Sequence, residues 1–208
     1  MELLIGLIIL IYSAVLHEVA HGFVAERLGD PTARLMGRLT LNPRPHIDPM
    51  MSIALPLILL LSGSPIIFGA AKPVPVDPFN LKEGRKDMAL VSLAGPLTNL
   101  LLAIAAAIIF KILDFVPIVF PSFIGLFLFL TVKYNLLLAV FNLIPIPPLD
   151  GSKVFSMILP DREAATYLSL GSMGMFIIFF LLFFPIGPFD LGTTVFHLIQ
   201  LGLVALGF

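Results

Sequence analysis

The sequence contains no cysteine. Disulfides and thiolate metal sites are therefore excluded, and any bound metal must be held by His, Asp or Glu. Charge is scarce too. Only 12% of the 208 residues are charged, against about one quarter in an ordinary soluble domain. Hydrophobic residues make up 59% of the chain, and the mean hydropathy is +1.07. Such a chain cannot hide its apolar surface in one water-soluble core, so lipid is its expected solvent. The net charge of −1 gives no basis for nucleic-acid binding. No Lys or Arg precedes the apolar run in MELLIGLIIL, which argues against a cleaved signal peptide. The sequence carries no internal repeat and no low-complexity tract.

A membrane-crossing helix needs about 20 mostly apolar residues. Five stretches qualify: 3–28, 87–113, 117–144, 165–184 and 190–207. A sixth, 49–71, is interrupted by Pro56 and by Ser62-Gly63-Ser64-Pro65. Broken backbone is tolerated at membrane depth only beside protein or water, so this stretch reads as a re-entrant segment. With it re-entrant, the connections 27–48, 72–87 and 145–164 share one side. They hold all the Lys and Arg residues except Lys111 and Lys133. The positive-inside rule makes that side cytoplasmic. Residues 32–41 and 66–76 look strand-like and are expected to pair as a small sheet at the membrane edge, with ordered loops as the alternative. The fold class is thus an all-α polytopic membrane protein: about five transmembrane helices, a re-entrant segment and a small β element. One membrane-embedded domain covers 1–208, with a core over 1–155 and C-terminal transmembrane helices over 156–208.

The first apolar run contains His17-Glu18-Val19-Ala20-His21, an H-E-x-x-H motif. Residues i and i+4 share a helix face, so both imidazoles can reach one metal. Glu18 lies one step round the helix, within reach of a water at that metal. Ionisable groups in mid-membrane are costly and point to function. Two imidazoles and a carboxylate suit zinc, with one position left open for catalysis. The stretch NLIPIPPLDG, from Asn142 to Gly151, supplies a candidate third ligand in Asp150. Pro145, Pro147 and Pro148 stop regular helix, and Gly151 is expected to permit a sharp turn after Asp150. Topology brings His17, His21 and Asp150 to the cytoplasmic side of the bilayer. One zinc ion per chain is expected.

Together, HEVAH and NLIPIPPLDG resemble the site-2 protease family of intramembrane zinc metalloproteases. TLNPRPHIDP at 40–49, FGAAKPVPVDP at 68–78 and SLAGPLTN at 92–99 are similar to its bacterial and archaeal members. The likeness runs to about residue 155, and the last two helices carry no recognisable motif. It implies zinc ligands at His17, His21 and Asp150, and Glu18 as general base. It implies that Asn142 orients substrate or stabilises the oxyanion. It also implies that substrate is received as an added strand near 32–41 and 66–76. Larger members have a helix before the zinc helix and an accessory domain, and this sequence is expected to lack both.

The function expected is hydrolysis of peptide bonds in transmembrane or membrane-associated proteins, as in regulated intramembrane proteolysis. The location expected is the plasma membrane of a prokaryote, with the active site toward the cytoplasm. The expected partners are a membrane protein or peptide substrate and the bilayer. A divalent-metal transporter is the first alternative, but one compact ligand cluster without repeats fits it poorly. A non-catalytic scaffold is the second, and the intact Glu18 argues against it. Four further residues read first as structural: His46 as a hydrogen-bonding residue, with a role near the active site as the alternative, His197 as a packing contact, Lys133 as a cation that snorkels or pairs with another helix, and Asn99 as a helix-bridging amide.

Overall fold

The structure is a computed structural model, and it describes residues 2–54, 57–58, 61, 71–115 and 121–208. It is mostly helical. In chain order the helices are α1 (Glu2–Leu28), α2 (Thr32–Leu35), α3 (Arg85–Phe115), α4 (Ser122–Asn142), α5 (Asp150–Phe155), α6 (Asp161–Ser169), α7 (Gly171–Phe183) and α8 (Leu191–Leu206). Helices α1, α3 and α4 are long and apolar enough to cross a membrane. Their outer faces are greasy, with Leu3 82% and Leu101 65% exposed. Their inner faces carry polar groups: Ser13, His17, His21, Asn99 and Asn135 are all buried. That inversion is what a lipid-solvated bundle requires.

The expected fourth and fifth spans differ in form. Residues 165–184 are split between α6 and α7, which meet at a 72° bend. α6 opens with Asp161, Arg162 and Glu163, so it is suited to an aqueous boundary rather than to lipid. α7 has 13 residues and α8 has 16. At about 1.5 Å per residue, neither alone matches a hydrocarbon core of about 30 Å.

Among the described residues no strand is formed. The Thr32–Leu35 part of the expected strand 32–41 is helical, and turns follow it. Residues 71–77 have no regular structure. Pro73 and Pro75 have no N–H to give a ladder, and the N–H of Val74 is taken by the Glu18 carboxylate. Residues 66–70 of that expected strand lie outside the described residues. So do most of the expected re-entrant segment and the start of the third span. The re-entrant stretch is described mainly at Pro49–Ala54, a short π-helical segment.

Three helices enclose the polar interior. α3 packs on α4 through Ala103, Ala106 and Ala107 against Leu128, Val132 and Leu136, and Leu203 of α8 closes the cluster. Lipid tails are as apolar as leucine, so burial alone does not join helices in a bilayer. Small residues that admit close packing do, helped by interhelical hydrogen bonds of about 0.6 kcal/mol each on average.

Hydrogen bonds also fix helix direction. Along α1, His17 meets Asn99 and His21 meets Val91, so α3 runs antiparallel to α1. Asp150, just past the end of α4, reaches the same two histidines.

The connections between these helices are bonded to each other. Asp30 accepts from the backbone N–H of Asp77 and from the Asn80 amide. Burial opposes the Asp30 carboxylate, but these bonds and those from Thr32 outweigh it and hold its pKa below the ordinary value. Arg85 donates to the carbonyls of Ser156 and Leu159 and pairs with Asp161. The basic connections 27–48, 72–87 and 145–164 therefore lie together, as their charge pattern suggested.

Candidate metal centre

His17 and His21 lie one turn apart on the buried face of α1. Their rings meet edge to face with centroids 4.6 Å apart. The two Nε2 atoms are 3.0 Å apart. Asp150 Oδ2 lies 3.1 Å from His17 Nε2 and 3.2 Å from His21 Nε2. One ligand atom from each residue falls within a 4.8 Å group, so the three can hold one ion.

The outer bonds of the two rings decide what those inner atoms are. His21 Nδ1 is 2.7 Å from the Val91 carbonyl. A carbonyl can only accept, so Nδ1 carries the proton and the neutral ring presents a lone pair at Nε2. His17 Nδ1 is 2.6 Å from Asn99 Oδ1, another acceptor. Its Nε2 is likewise a lone pair. Two nitrogen lone pairs and a carboxylate oxygen thus converge with no proton donor among them. That set is mutually repulsive without a cation and fits zinc, which takes neutral imidazole and carboxylate together.

Close packing supports this geometry. A Cβ at Gly95 would lie 2.5 Å from His17 Nε2 and 2.6 Å from His21 Cε1. Only glycine lets α3 lie against both rings. Pro96 follows it inside α3. It has no N–H to donate to the Ser92 carbonyl four residues back, beside the Val91 carbonyl that His21 uses. Gly151 also serves close approach: a Cβ there would lie 2.2 Å from the Leu143 carbonyl oxygen. The expected role in a sharp turn is corrected, because Gly151 is not among the glycines with positive φ. Asp150 opens the short helix α5 instead of lying on unwound chain. Its Oδ1 is 3.5 Å from Lys153 Nζ, which also donates to the Pro148 carbonyl.

Glu18 is half-buried, and its Oε2 accepts from the Val74 N–H at 2.7 Å. The segment that supplies this donor is tethered. Arg38 donates to the carbonyls of Lys72 and Pro73, and the Lys72 N–H donates to the His46 carbonyl. His46 is buried and bonded through Nε2 to the Thr40 carbonyl, which agrees with its structural reading. Asn142 donates to the Leu138 carbonyl one turn back in α4. Lys133 and His197 are exposed and are not part of the metal group.

Asn99 proves to touch a candidate ligand directly. Asn135, Ser13 and Val91 stand behind the site without having been singled out from sequence. The available signal was polar side chains inside apolar spans, which are costly in lipid unless bonded.

The model of "Peptidase family M50" matches the chain over residues 5–119 and 119–185. The chain is 38% identical over 189 residues to "Putative zinc metalloprotease YwhC" of Bacillus subtilis (strain 168), covering 88% of this chain and 82% of that protein. Two relatives with the same designation are Rip2 of Mycobacterium tuberculosis and MJ0611 of Methanocaldococcus jannaschii. Rip2 is 35% identical over 176 residues, which are 85% of this chain and 64% of Rip2. MJ0611 is 40% identical over 91 residues, which are 43% of this chain and 45% of MJ0611. No solved structure gives a significant match. The converging ligand set and the match over most of its length agree: the chain belongs to peptidase family M50, the site-2 proteases, and is an intramembrane zinc metalloprotease.

Proposed function

We propose that this protein hydrolyses peptide bonds of membrane-embedded or membrane-associated proteins at a zinc ion held by His17, His21 and Asp150, with Glu18 as general base. The observation that carries the reading is the convergence of the Asp150 carboxylate oxygen with two imidazole Nε2 atoms whose Nδ1 atoms are already bonded. Zinc there supplies Lewis acidity toward the scissile carbonyl and toward water. Glu18 takes a proton from that water and delivers it to the leaving amine. The Val74 N–H holds Oε2, so the carboxylate is oriented and Oε1 remains for the proton. Asn142 spends one N–H on Leu138 and has a second to donate to the developing oxyanion. A substrate helix must unwind locally, since a helical backbone withholds its carbonyls. Pairing it with an extended edge near the site would satisfy the freed groups.

The working part is residues 1–155, with 156–208 completing the membrane domain. The basic connections favour a catalytic side that faces the cytoplasm across the plasma membrane of a prokaryotic cell, and relatives from bacteria and an archaeon support a prokaryotic setting. Metal transport is the weaker reading, because one compact site lies beside a positioned carboxylate.

Zinc content and peptide cleavage of purified protein test the site. His17→Ala and Asp150→Ala should each lose most of the zinc and the cleavage. Wild-type zinc content in both would eliminate this ligand set. Sidedness is tested separately. The native chain has no cysteine, and Arg44 and Lys82 are exposed. Arg44→Cys and Lys82→Cys should both react with an impermeant maleimide only after the cytoplasmic face is opened. Labelling of both in intact cells would reverse the orientation, and labelling of one alone would put them on opposite faces and sink the topology.

A further inference from the structure

We infer that Asn99 and Asn135 form a polarised relay that fixes the His17 tautomer, making them positioning residues for the metal centre. The inference rests on the reading of His17 as a zinc ligand. The chain of bonds crosses three membrane helices. It starts at the Thr131 backbone carbonyl of α4, which can only accept. Asn135 Nδ2 donates to it at 2.9 Å. The second hydrogen on that nitrogen goes to Ser13 Oγ of α1, also at 2.9 Å. The Asn135 amide is thereby oriented, and its Oδ1 must face Asn99. Asn99 answers with Nδ2 at 2.8 Å, and that nitrogen also lies 3.4 Å from the Ser13 carbonyl. The Asn99 amide is therefore oriented as well, with Oδ1 turned toward His17 Nδ1 at 2.6 Å.

Amide and imidazole orientations follow from the bonding network, and here two backbone carbonyls anchor it. No member can flip alone. A reversed Asn99 would bring NH2 against the His17 N–H and carbonyl oxygen against Asn135 Oδ1. Asn99, Asn135 and Ser13 are all buried, Asn99 and Asn135 completely. Water cannot stand in for a lost partner at a site without access. An apolar helix interface would need none of these groups, and packing alone would not require them to point in one direction.

The consequence is chemical. A free neutral imidazole favours its proton on Nε2, the nitrogen that must be bare to bind metal. The relay moves the proton to Nδ1 before any metal arrives. His21 gets the same bias from the Val91 carbonyl alone. Loss of a partner that orients a ligand typically weakens metal binding by about 10–100-fold.

The test uses the purified full chain in bilayer discs. Zinc affinity is read by competition with a chromophoric chelator, and the His17 tautomer by nitrogen-15 NMR of the zinc-free protein above the imidazole pKa. Wild type should show His17 protonated at Nδ1. Asn99→Leu should bind zinc about 10–100-fold more weakly and shift His17 toward the Nε2 proton. Asn99→Asp loses the bond to Asn135 Oδ1 but keeps an acceptor for Nδ1–H, so it should hold the His17 proton on Nδ1 where Asn99→Leu does not. Asn135→Leu, which only frees Asn99 to rotate, should fall between. Wild-type zinc affinity in Asn99→Leu would overturn the relay, and so would the same His17 tautomer in Asn99→Leu and Asn99→Asp. The wild-type spectrum needs no variant to fold, and a His17 protonated mainly at Nε2 would overturn it by itself. Absence of zinc from the wild type would sink the metal site itself, which keeps the two failures apart.

Discussion

Glu18→Gln is expected to retain zinc at the wild-type level and to cleave peptide at close to the background rate. Glu18 sits beside His17 in sequence, yet its carboxylate is not one of the converging ligand atoms. Side chains one residue apart on a helix diverge by about 100°. The carboxylate instead accepts from the Val74 N–H. Glutamine retains an oxygen for that bond and nearly the same volume, so the tethered segment at 72–74 should stay in place. It cannot take up a proton. General-base assistance is commonly worth about 10²–10⁴-fold in rate, and zinc-activated water still needs a proton acceptor. Zinc content and cleavage must be measured on the same preparation. Normal zinc with normal cleavage would remove Glu18 as the base. Loss of both would make it a structural residue. Glu18→Asp is a useful companion, since it keeps the charge but withdraws the carboxylate by one methylene.

The two candidate histidine ligands were legible in sequence because their spacing is a property of the helix itself. His17 and His21 at i and i+4 must share a face, whatever packs against them. Asp150 was legible through the prolines at 145, 147 and 148, which end α4 before the chain reaches it. The basic connections were legible because charge cannot hide in lipid, and the bonds from Asp30 and Arg85 join them as expected. Positions set by tertiary approach were not legible. Gly95 lies in SLAGPLTN, a stretch picked out by family likeness alone, and its need to be glycine appears only when two rings from α1 lie against it. Asn135 and Ser13 look like scattered polar residues until α1, α3 and α4 are brought together. The strand-like look of 32–41 failed for a different reason. Its pattern was weak, and contacts within Thr32–Met36 satisfy the backbone locally, with Met36 N–H bonded to the Thr32 carbonyl. Hydropathy gave no sign of the α6–α7 bend within the fourth expected span, because it averages over the whole stretch.

Gly95→Ala is expected to abolish zinc binding, and with it cleavage, without unfolding the protein. Two effects oppose each other. Glycine inside a helix costs roughly 0.5–1 kcal/mol relative to alanine, so intrinsic propensity favours the substitution. Against it stands a methyl group 2.5 Å from His17 Cε1 and Nε2 and 2.6 Å from His21 Cε1. Those distances lie far inside carbon contact range, so the rings or the helices must move. Rings have little room, since each is pinned on its far side at 2.6 and 2.7 Å by Asn99 and Val91 of the same helix α3. Retreat of α3 would carry those acceptors away with it. Either movement pulls the two Nε2 atoms off Asp150. Overpacking in a well-filled interior costs typically about 1–3 kcal/mol, so the net loss of stability should be about 2 kcal/mol or less. The metal should suffer more than the fold: zinc affinity should drop by more than the roughly 100-fold that marks loss of a single orienting partner. Gly125→Ala in α4 is the control, because its nearest neighbour would be Phe110 at an ordinary 3.7 Å. It should leave zinc unchanged and raise thermal stability slightly. Calorimetric zinc titration of the two variants side by side decides the matter, and tight zinc binding by Gly95→Ala would show that α1 and α3 do not approach as closely as this site requires.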